Sequence, residues 1–388
     1  MKNNNFYLPS KRSEVETFNV MRLLSEANKL QENGRKIYHL ELGEPQSKTP
    51  ILIREEVNRL LRSDLPGYTP SNGIEELRIK ISKFYKERYG LDLNHKQIFV
   101  TTGSSGAFLL TFLTCFDAGD KVAIFNPVYP AYRNILKSLN INVIEIGSDK
   151  NKLNYIDLQK IEKHIDIDGL IISNPNNPNG QVFDEYELRY IYSFCEKNKI
   201  KLISDEIYHG IEYQQRSKSI LNFGENAIVI NSFSKYFCMP GWRLGWAIVS
   251  NPLVENFLRL SQNLFISSGN IAQYSALKIF DCIDDLNLIV DNYEKTKESI
   301  FNKLSNLRMI KFDKPKGSFY YYIDISDLNI NSVEFTQTIL QETGVVLTPG
   351  IDFDQKNGHK SFRLAFSINS QTAKEGTNKL AQWLLSNY

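Results

Sequence analysis

Lys235 closes the segment Ser232-Phe-Ser-Lys235, directly after the apolar run Ala227-Ile-Val-Ile-Asn231. A lysine held just past a strand end can lie on a pocket floor, where desolvation and nearby charge free its amine to condense with a carbonyl. Arg243, in Met239-Pro-Gly-Trp-Arg-Leu-Gly-Trp246, can return to the same pocket and grip a phosphate beside the Ser234 hydroxyl. An isolated S-x-S-K is more often a surface lysine, so the assignment depends on its company.

That company is consistent in kind. Asp205-Glu-Ile-Tyr208 follows Lys201-Leu-Ile-Ser204, and a carboxylate there either caps a helix or pairs with a cationic ring nitrogen. Tyr208 could donate to a ring phenolate oxygen. Asn174-Pro-Asn-Asn-Pro-Asn-Gly180 is a rigid turn, either a plain loop or a mount that aims Asn177 at a ligand. Gly103-Ser-Ser-Gly-Ala107 stands between a strand and a helix, where backbone N–H groups make an anion site. Tyr129, in Asn126-Pro-Val-Tyr-Pro-Ala-Tyr132, either stacks on a flat ligand or packs in the core. Three distant segments add Gly43 in Leu42-Gly-Glu-Pro45, Tyr68 in Gly67-Tyr-Thr-Pro70, and Arg363 in Ser361-Phe-Arg-Leu-Ala365, an arginine suited to bidentate carboxylate binding.

The elements that must hold these residues are short apolar strands alternating with helical patterns. Strands are expected at Gln97–Thr102, Lys121–Phe125, Ile141–Ile146, Gly169–Ser173, Lys201–Ser204, Ala227–Asn231 and Gly245–Val249. Continuous apolar runs of this kind imply a mostly parallel sheet covered on both faces, and ligands then bind at its carboxyl edge. A first helix is expected from Val15 to Asn33, ended by Gly34, and a long one from Ile271 to Leu304. Strands around Tyr320 and Phe362 and helices around Val333 and Thr372 complete an α+β layout. The expected division is an arm over residues 1–47, a large domain over 48–278 and a small C-terminal domain over 279–388.

A formal charge of +2 on 388 residues gives no case for nucleic acid or membrane as a partner. Lys197, Lys199 and Lys201 read as a solvated approach to a strand. Cys115, Cys195, Cys238 and Cys282 show no CxxC spacing, so a metal site is not expected and reduced thiols in the cytoplasm are. The opening MKNNNFYLPSKR lacks the apolar stretch of a signal peptide.

Taken in order, L-G-E-P, Y-T-P-x-x-G, N-P-x-N-P-x-G, D-E-x-Y, S-x-S-K and G-W-R-L-G resemble the fold-type I, class I/II aminotransferases, from about Val15 to the C-terminus. The resemblance implies an α/β fold, its mixed, mostly parallel sheet sandwiched by helices, with a smaller α+β domain built from the C-terminal part and the N-terminal arm. It implies pyridoxal 5′-phosphate as cofactor, held as a Schiff base by Lys235, which also shuttles a proton. Asp205 would pair with the pyridine nitrogen, and Tyr208 and Asn177 would contact the ring oxygen. Ser104, Ser105, Ser232, Ser234 and Arg243 would surround the phosphate, with Tyr68 arriving from the second subunit of a homodimer. Tyr129 would stack on the ring, where many relatives carry a tryptophan. Gly43, Asn177 and Arg363 would hold the substrate α-carboxylate. The reaction implied is transfer of an amino group from an L-amino acid to a 2-oxo acid, with 2-oxoglutarate the expected acceptor.

Rival readings are a C–S β-lyase or other lyase or synthase on the same machinery, a nicotinamide-dependent reductase, and a non-catalytic relative. The reductase would use Thr102-Gly-Ser-Ser-Gly106 with Tyr293 and Lys297, but an i, i+4 pair in so charged a helix reads as ordinary surface. Retention of Lys235, Asp205 and Arg243 speaks against a non-catalytic relative. A dicarboxylic substrate would want a further cation near the pocket mouth, for which Arg12 and Arg133 are the only candidates.

Overall fold

The apolar runs pair into one seven-stranded sheet. In this computed structural model, which describes residues 8–64, 67–148 and 156–388, the chain opens with α1 (Asn19–Glu32), β1 (Tyr38–His39), α2 (Ile51–Leu60) and α3 (Glu75–Tyr89). Next come β2 (Ile98–Thr102), α4 (Gly103–Cys115), β3 (Lys121–Phe125), α5 (Pro130–Ser138), β4 (Asn142–Ile146) and β5 (Gly169–Ser173). Then follow α6 (Glu185–Asn198), β6 (Lys201–Asp205), β7 (Ile228–Ser232) and β8 (Leu244–Ile248). The strand order is β2-β8-β7-β6-β5-β3-β4. Only β8 runs against its neighbours β2 and β7; the other pairings are parallel.

Both faces of this sheet are buried, which is why its strands read as unbroken apolar runs rather than alternating ones. Ile171, Ile203, Ile228 and Ile230 pack with Phe108 and Phe112 of α4. Leu170, Ile172, Leu202 and Val229 face the opposite way, toward α3 and α6. Because β8 returns antiparallel to β7, the end of β7 and the start of β8 lie at one edge. Lys235 and Arg243 are thereby brought to the same rim.

The rest of the chain forms α7 (Val254–Leu264), α8 (Asn270–Ala276), α9 (Ile283–Leu304), β9 (Tyr320–Asp324), α10 (Ser332–Thr343), β10 (Val345–Val346), β11 (Thr348–Pro349), β12 (Ser361–Ala365) and α11 (Ser370–Asn387). Strands β11, β12 and β9 make an antiparallel sheet, while β10 pairs in parallel with β1. Leu23 and Ala27 of α1 bury against Leu340 and Val346, so the N-terminal segment packs onto C-terminal elements. The first seven residues of that arm lie outside the described residues. Among the described residues no helix is long and apolar enough to cross a membrane.

Three expectations need correction. The first helix starts at Asn19, not Val15, because its cap comes from Asp352 far along the chain. The long helix expected from Ile271 is interrupted at Ile279–Cys282. There the N–H groups of Lys278 and Asp281 bond three residues back, a tighter turn than the α-helix allows. Lys197 ends α6, and Lys199 caps it in the left-handed conformation (φ 58°), so only Lys201 belongs to a strand.

Candidate active site

The ends of β3, β5, β6 and β7 open on one cavity of about 600 Å³. Tyr129, Asn177, Asp205 and Lys235 reach it from those four ends, Arg243 from the start of β8, and Arg363 faces them from β12. Local sequence explains each placement. A strand buried on both faces must end where polar residues begin, and the first polar side chains past that end are the ones presented to the rim.

Lys235 donates from Nζ to the Gly43 carbonyl. Burial, with help from the Arg363 charge, pushes its ammonium down to about 8. Near neutral pH a substantial fraction is therefore the free amine, as a nucleophile or a proton acceptor requires.

Asp205 is buried, with Oδ2 accepting from the Tyr132 hydroxyl and Oδ1 from the Ile207 N–H at 3.1 Å. Burial pushes its carboxyl up to about 6, against the opposing pull of those two hydrogen bonds. The bond to Ile207 closes a turn and no α-helix follows directly, so the helix-cap alternative for Asp205 does not hold. Tyr208 shares a hydrogen bond of 2.7 Å with the Tyr320 hydroxyl.

Arg363 is 6% exposed yet its hydrogen-bond partners are all uncharged. Nη1 donates to Asn177 Oδ1 at 3.0 Å, and Nη2 to the Glu41 carbonyl at 2.7 Å and Thr348 Oγ1 at 3.3 Å. Nε finds no acceptor among the described residues. The guanidinium lies 4.3 Å from the Tyr320 ring centre and 4.8 Å from that of Phe353. A buried cation fixed by rings and amides, with a donor left over, is prepared for an external anion. Gly43 is needed in this corner: a Cβ there would come within 2.7 Å of the Tyr320 hydroxyl.

A second anion site lies at the other end of the cavity. Helix α4 starts without a side-chain cap, so its first N–H groups remain open, and Ser104 and Ser105 of that turn line the cavity with Ser234. Arg243 packs against the same turn. A Cβ on Gly103 would fall 2.5 Å from Arg243 Nη2, so only glycine lets the guanidinium approach.

Two expected residues are not brought into the cavity. Ser232 Oγ is buried behind Ser234, bonded to Ser234 Oγ at 2.9 Å and to the Leu244 carbonyl at 3.0 Å. Tyr68 is 82% exposed and is not part of the cavity wall. Neither proposed extra cation reaches it: Arg133 is buried in an ion pair with Glu145 at 2.5 Å, and Arg12 lies exposed in a short helical turn. Tyr293 and Lys297 also differ from expectation, since both are buried, with the Lys297 ammonium 4.0 Å from the Tyr213 ring centre and no share in the cavity.

Sequence reasoning missed Tyr132, Tyr320, Glu44 and the α1 residues Phe18, Val20 and Leu24, all of which line the cavity. Tyr132 had a signal, one helical turn beyond Tyr129 in the same motif. The α1 residues had none, because only the tertiary fold lays that helix over the rim.

Comparison with known proteins agrees with this geometry. The family model for aminotransferase class I and II matches residues 35–380. A valine–pyruvate aminotransferase of Mycobacterium tuberculosis is 34% identical over 97% of this chain and 98% of its own. A (5-formylfuran-3-yl)methyl phosphate transaminase of Methanocaldococcus jannaschii is 35% identical over 95% of this chain and 97% of its own. The crystal structure of an aminotransferase from Mycobacterium tuberculosis superposes with a TM-score of 0.94, covering 98% of this chain and 99% of that one. With an uncapped helix end, a buried aspartate, a desolvated lysine and an unpaired arginine set along one cavity, the chain belongs to the class I and II aminotransferases, enzymes of fold type I that depend on pyridoxal 5′-phosphate.

Proposed function

We propose that this cavity takes an amino group from an L-amino acid and passes it to a 2-oxo acid in two successive half-reactions, with Lys235 as covalent anchor and proton carrier. The observation that carries the reading is the order of charge along the cavity: anion seat, carboxylate, free amine, second anion seat. The residues present fit pyridoxal 5′-phosphate in that order. The open N-terminus of α4, Arg243, Ser104, Ser105 and Ser234 would hold its phosphate, with Ser232 steadying Ser234 from behind. Asp205 would keep the ring nitrogen protonated, and Tyr132 would hold Asp205 in place. Tyr208 and Asn177 would face the ring oxygen and Tyr129 the ring. When bound, the cofactor supplies an electron sink for the substrate carbon that loses its proton.

The protein does the rest. Arg363 grips the α-carboxylate, with Asn177 beside it and Gly43 leaving room for the substrate. Lys235 then takes the proton from the substrate carbon and returns it at the neighbouring position, its lowered pKa allowing both directions. The valine–pyruvate aminotransferase relative is named for a donor and an acceptor of these classes, which supports the reading.

The test is to follow the visible absorption of the holoenzyme while adding L-amino acids one at a time. At least one should replace the visible band by one at shorter wavelength, and a 2-oxo acid should restore it. Release of ammonia and a 2-oxo acid with no acceptor added would favour the lyase reading instead.

The reading extends to a homodimer in which Tyr68 completes the phosphate end of the second copy's cavity. Its support is an exposed tyrosine with Leu61 and Ile266 also exposed. The mass in solution is expected to be twice the chain's 44.8 kDa, and Tyr68→Phe should weaken cofactor retention without changing that mass; a monomer with full activity would refute this part. We further propose the division into residues 1–47, 48–278 and 279–388, supported by β1 pairing with β10, and a cytoplasmic location, supported by four free, buried cysteines.

A further inference from the structure

We propose that Asp352 sets the side-chain specificity of this site by filling, with its own carboxylate, the seat that the second carboxylate of a dicarboxylic substrate would need. The inference rests on the functional reading above and names its substrate class: apolar, monocarboxylic 2-amino and 2-oxo acids.

The wall of the cavity beyond Arg363 is made by the start of α1. Phe18, Val20 and Leu24 line it, with Leu42 and Phe353. Helix α1 brings no cap of its own, since Phe18 has no acceptor to offer. Its first N–H groups would be an open anion site facing the substrate space. Asp352, which also lines the cavity and is 7% exposed, closes that site. Its Oδ1 accepts from the Asn19 N–H at 3.1 Å and from Asn19 Nδ2 at 2.7 Å, and its Oδ2 from the Val20 N–H at 3.1 Å.

The other charges of the cavity point the same way. Its lining cations are Lys235, Arg243 and Arg363, each already assigned to the amine chemistry, the phosphate or the α-carboxylate. The remaining charged groups at the substrate end, Glu44 and Asp352, are acidic. A second carboxylate on the substrate would be desolvated beside a like charge, with no free cation among the described lining residues. An aliphatic side chain would instead meet Phe18, Val20 and Leu24. Because both half-reactions use one cavity, the limit applies to the acceptor too, which replaces the 2-oxoglutarate expected from sequence by a monocarboxylic 2-oxo acid.

The experiment is a set of single half-reactions with the holoenzyme, read from the cofactor band, using L-2-aminobutyrate, L-valine and L-glutamate. The wild-type rate constant for at least one apolar substrate should exceed that for glutamate by about a hundredfold. Asp352→Ala vacates the seat, so the glutamate-to-aminobutyrate ratio should rise by about tenfold or more, chiefly through KM, with the starting spectrum unchanged. Asp352→Asn keeps an acceptor for the α1 N–H groups and drops the charge; it should move the ratio in the same direction, and it carries the test if the alanine variant does not fold. A merely structural role would slow all three substrates together and leave the ratio fixed, which would overturn the proposal. So would a wild-type enzyme that prefers glutamate. Failure of every amino acid to change the band would count against the functional reading instead.

Discussion

Lys235→Ala should lose transamination by about 10⁴-fold or more, and the purified variant should lack the covalently held cofactor's visible band. The reason is positional as well as chemical. Lys235 Nζ is bonded to the Gly43 carbonyl and is the one amine lining the cavity. No neighbouring side chain can reproduce both its attachment and its proton transfer. A pH series separates this amine from an ordinary surface lysine. Burial pushes its pKa down to about 8, so in cofactor-free enzyme the amine should react with added pyridoxal 5′-phosphate about tenfold faster per pH unit up to that midpoint and level off above it. The sign for stability follows from the same shift. Between about 8 and the ordinary value of 10.5 the unfolded chain binds the extra proton and the folded one does not, so cofactor-free enzyme should gain stability as pH rises through that window. A rate that climbs steadily to pH 10 would show that the amine is not desolvated and would remove the basis of its role.

Much of this site was legible because strand ends are legible. Lys235, Asp205 and Asn177 each follow an apolar run closely, and a parallel sheet brings such ends to one rim. Arg243 was legible because the antiparallel return of β8 keeps it close to Lys235. What failed were features set by side-chain direction or by contacts far apart in sequence. Ser232 and Ser234 are two apart and were read alike, but Ser232 is still within β7 and turns inward, while Ser234 lies past its end. Tyr293 and Lys297 looked exposed among charged neighbours, yet the Tyr213 ring and the carboxylates of Glu294 and Glu298 allow the lysine to be buried. The start of α1 could not be read locally at all, since its cap is supplied by Asp352, 333 residues from Asn19. The apolar wall of the substrate space depends on that same contact, which is why the motifs pointed to the cofactor and were silent about the side chain.

Arg363→Lys should raise the KM for every amino acid and 2-oxo acid substrate by about a hundredfold while leaving the cofactor spectrum intact. The charge is kept in this variant, so the loss isolates what the guanidinium shape contributes. Nη1 and Nη2 are tied to Asn177, Glu41 and Thr348, and the rings of Tyr320 and Phe353 fix the plane. A carboxylate entering the cavity therefore meets a fork already oriented, with Nε unused. A lysine ammonium presents a single mobile point charge and leaves the Asn177 and Thr348 oxygens without their donor, each a buried group that then costs about 1–3 kcal/mol. Arg363→Ala should lose about tenfold more, because the carboxylate then has no cation at all. Both substrate classes must respond together, since donor and acceptor carry the same α-carboxylate. A KM that rises for one class alone, or for neither, would place the α-carboxylate elsewhere and leave the orphaned Nε without a ligand.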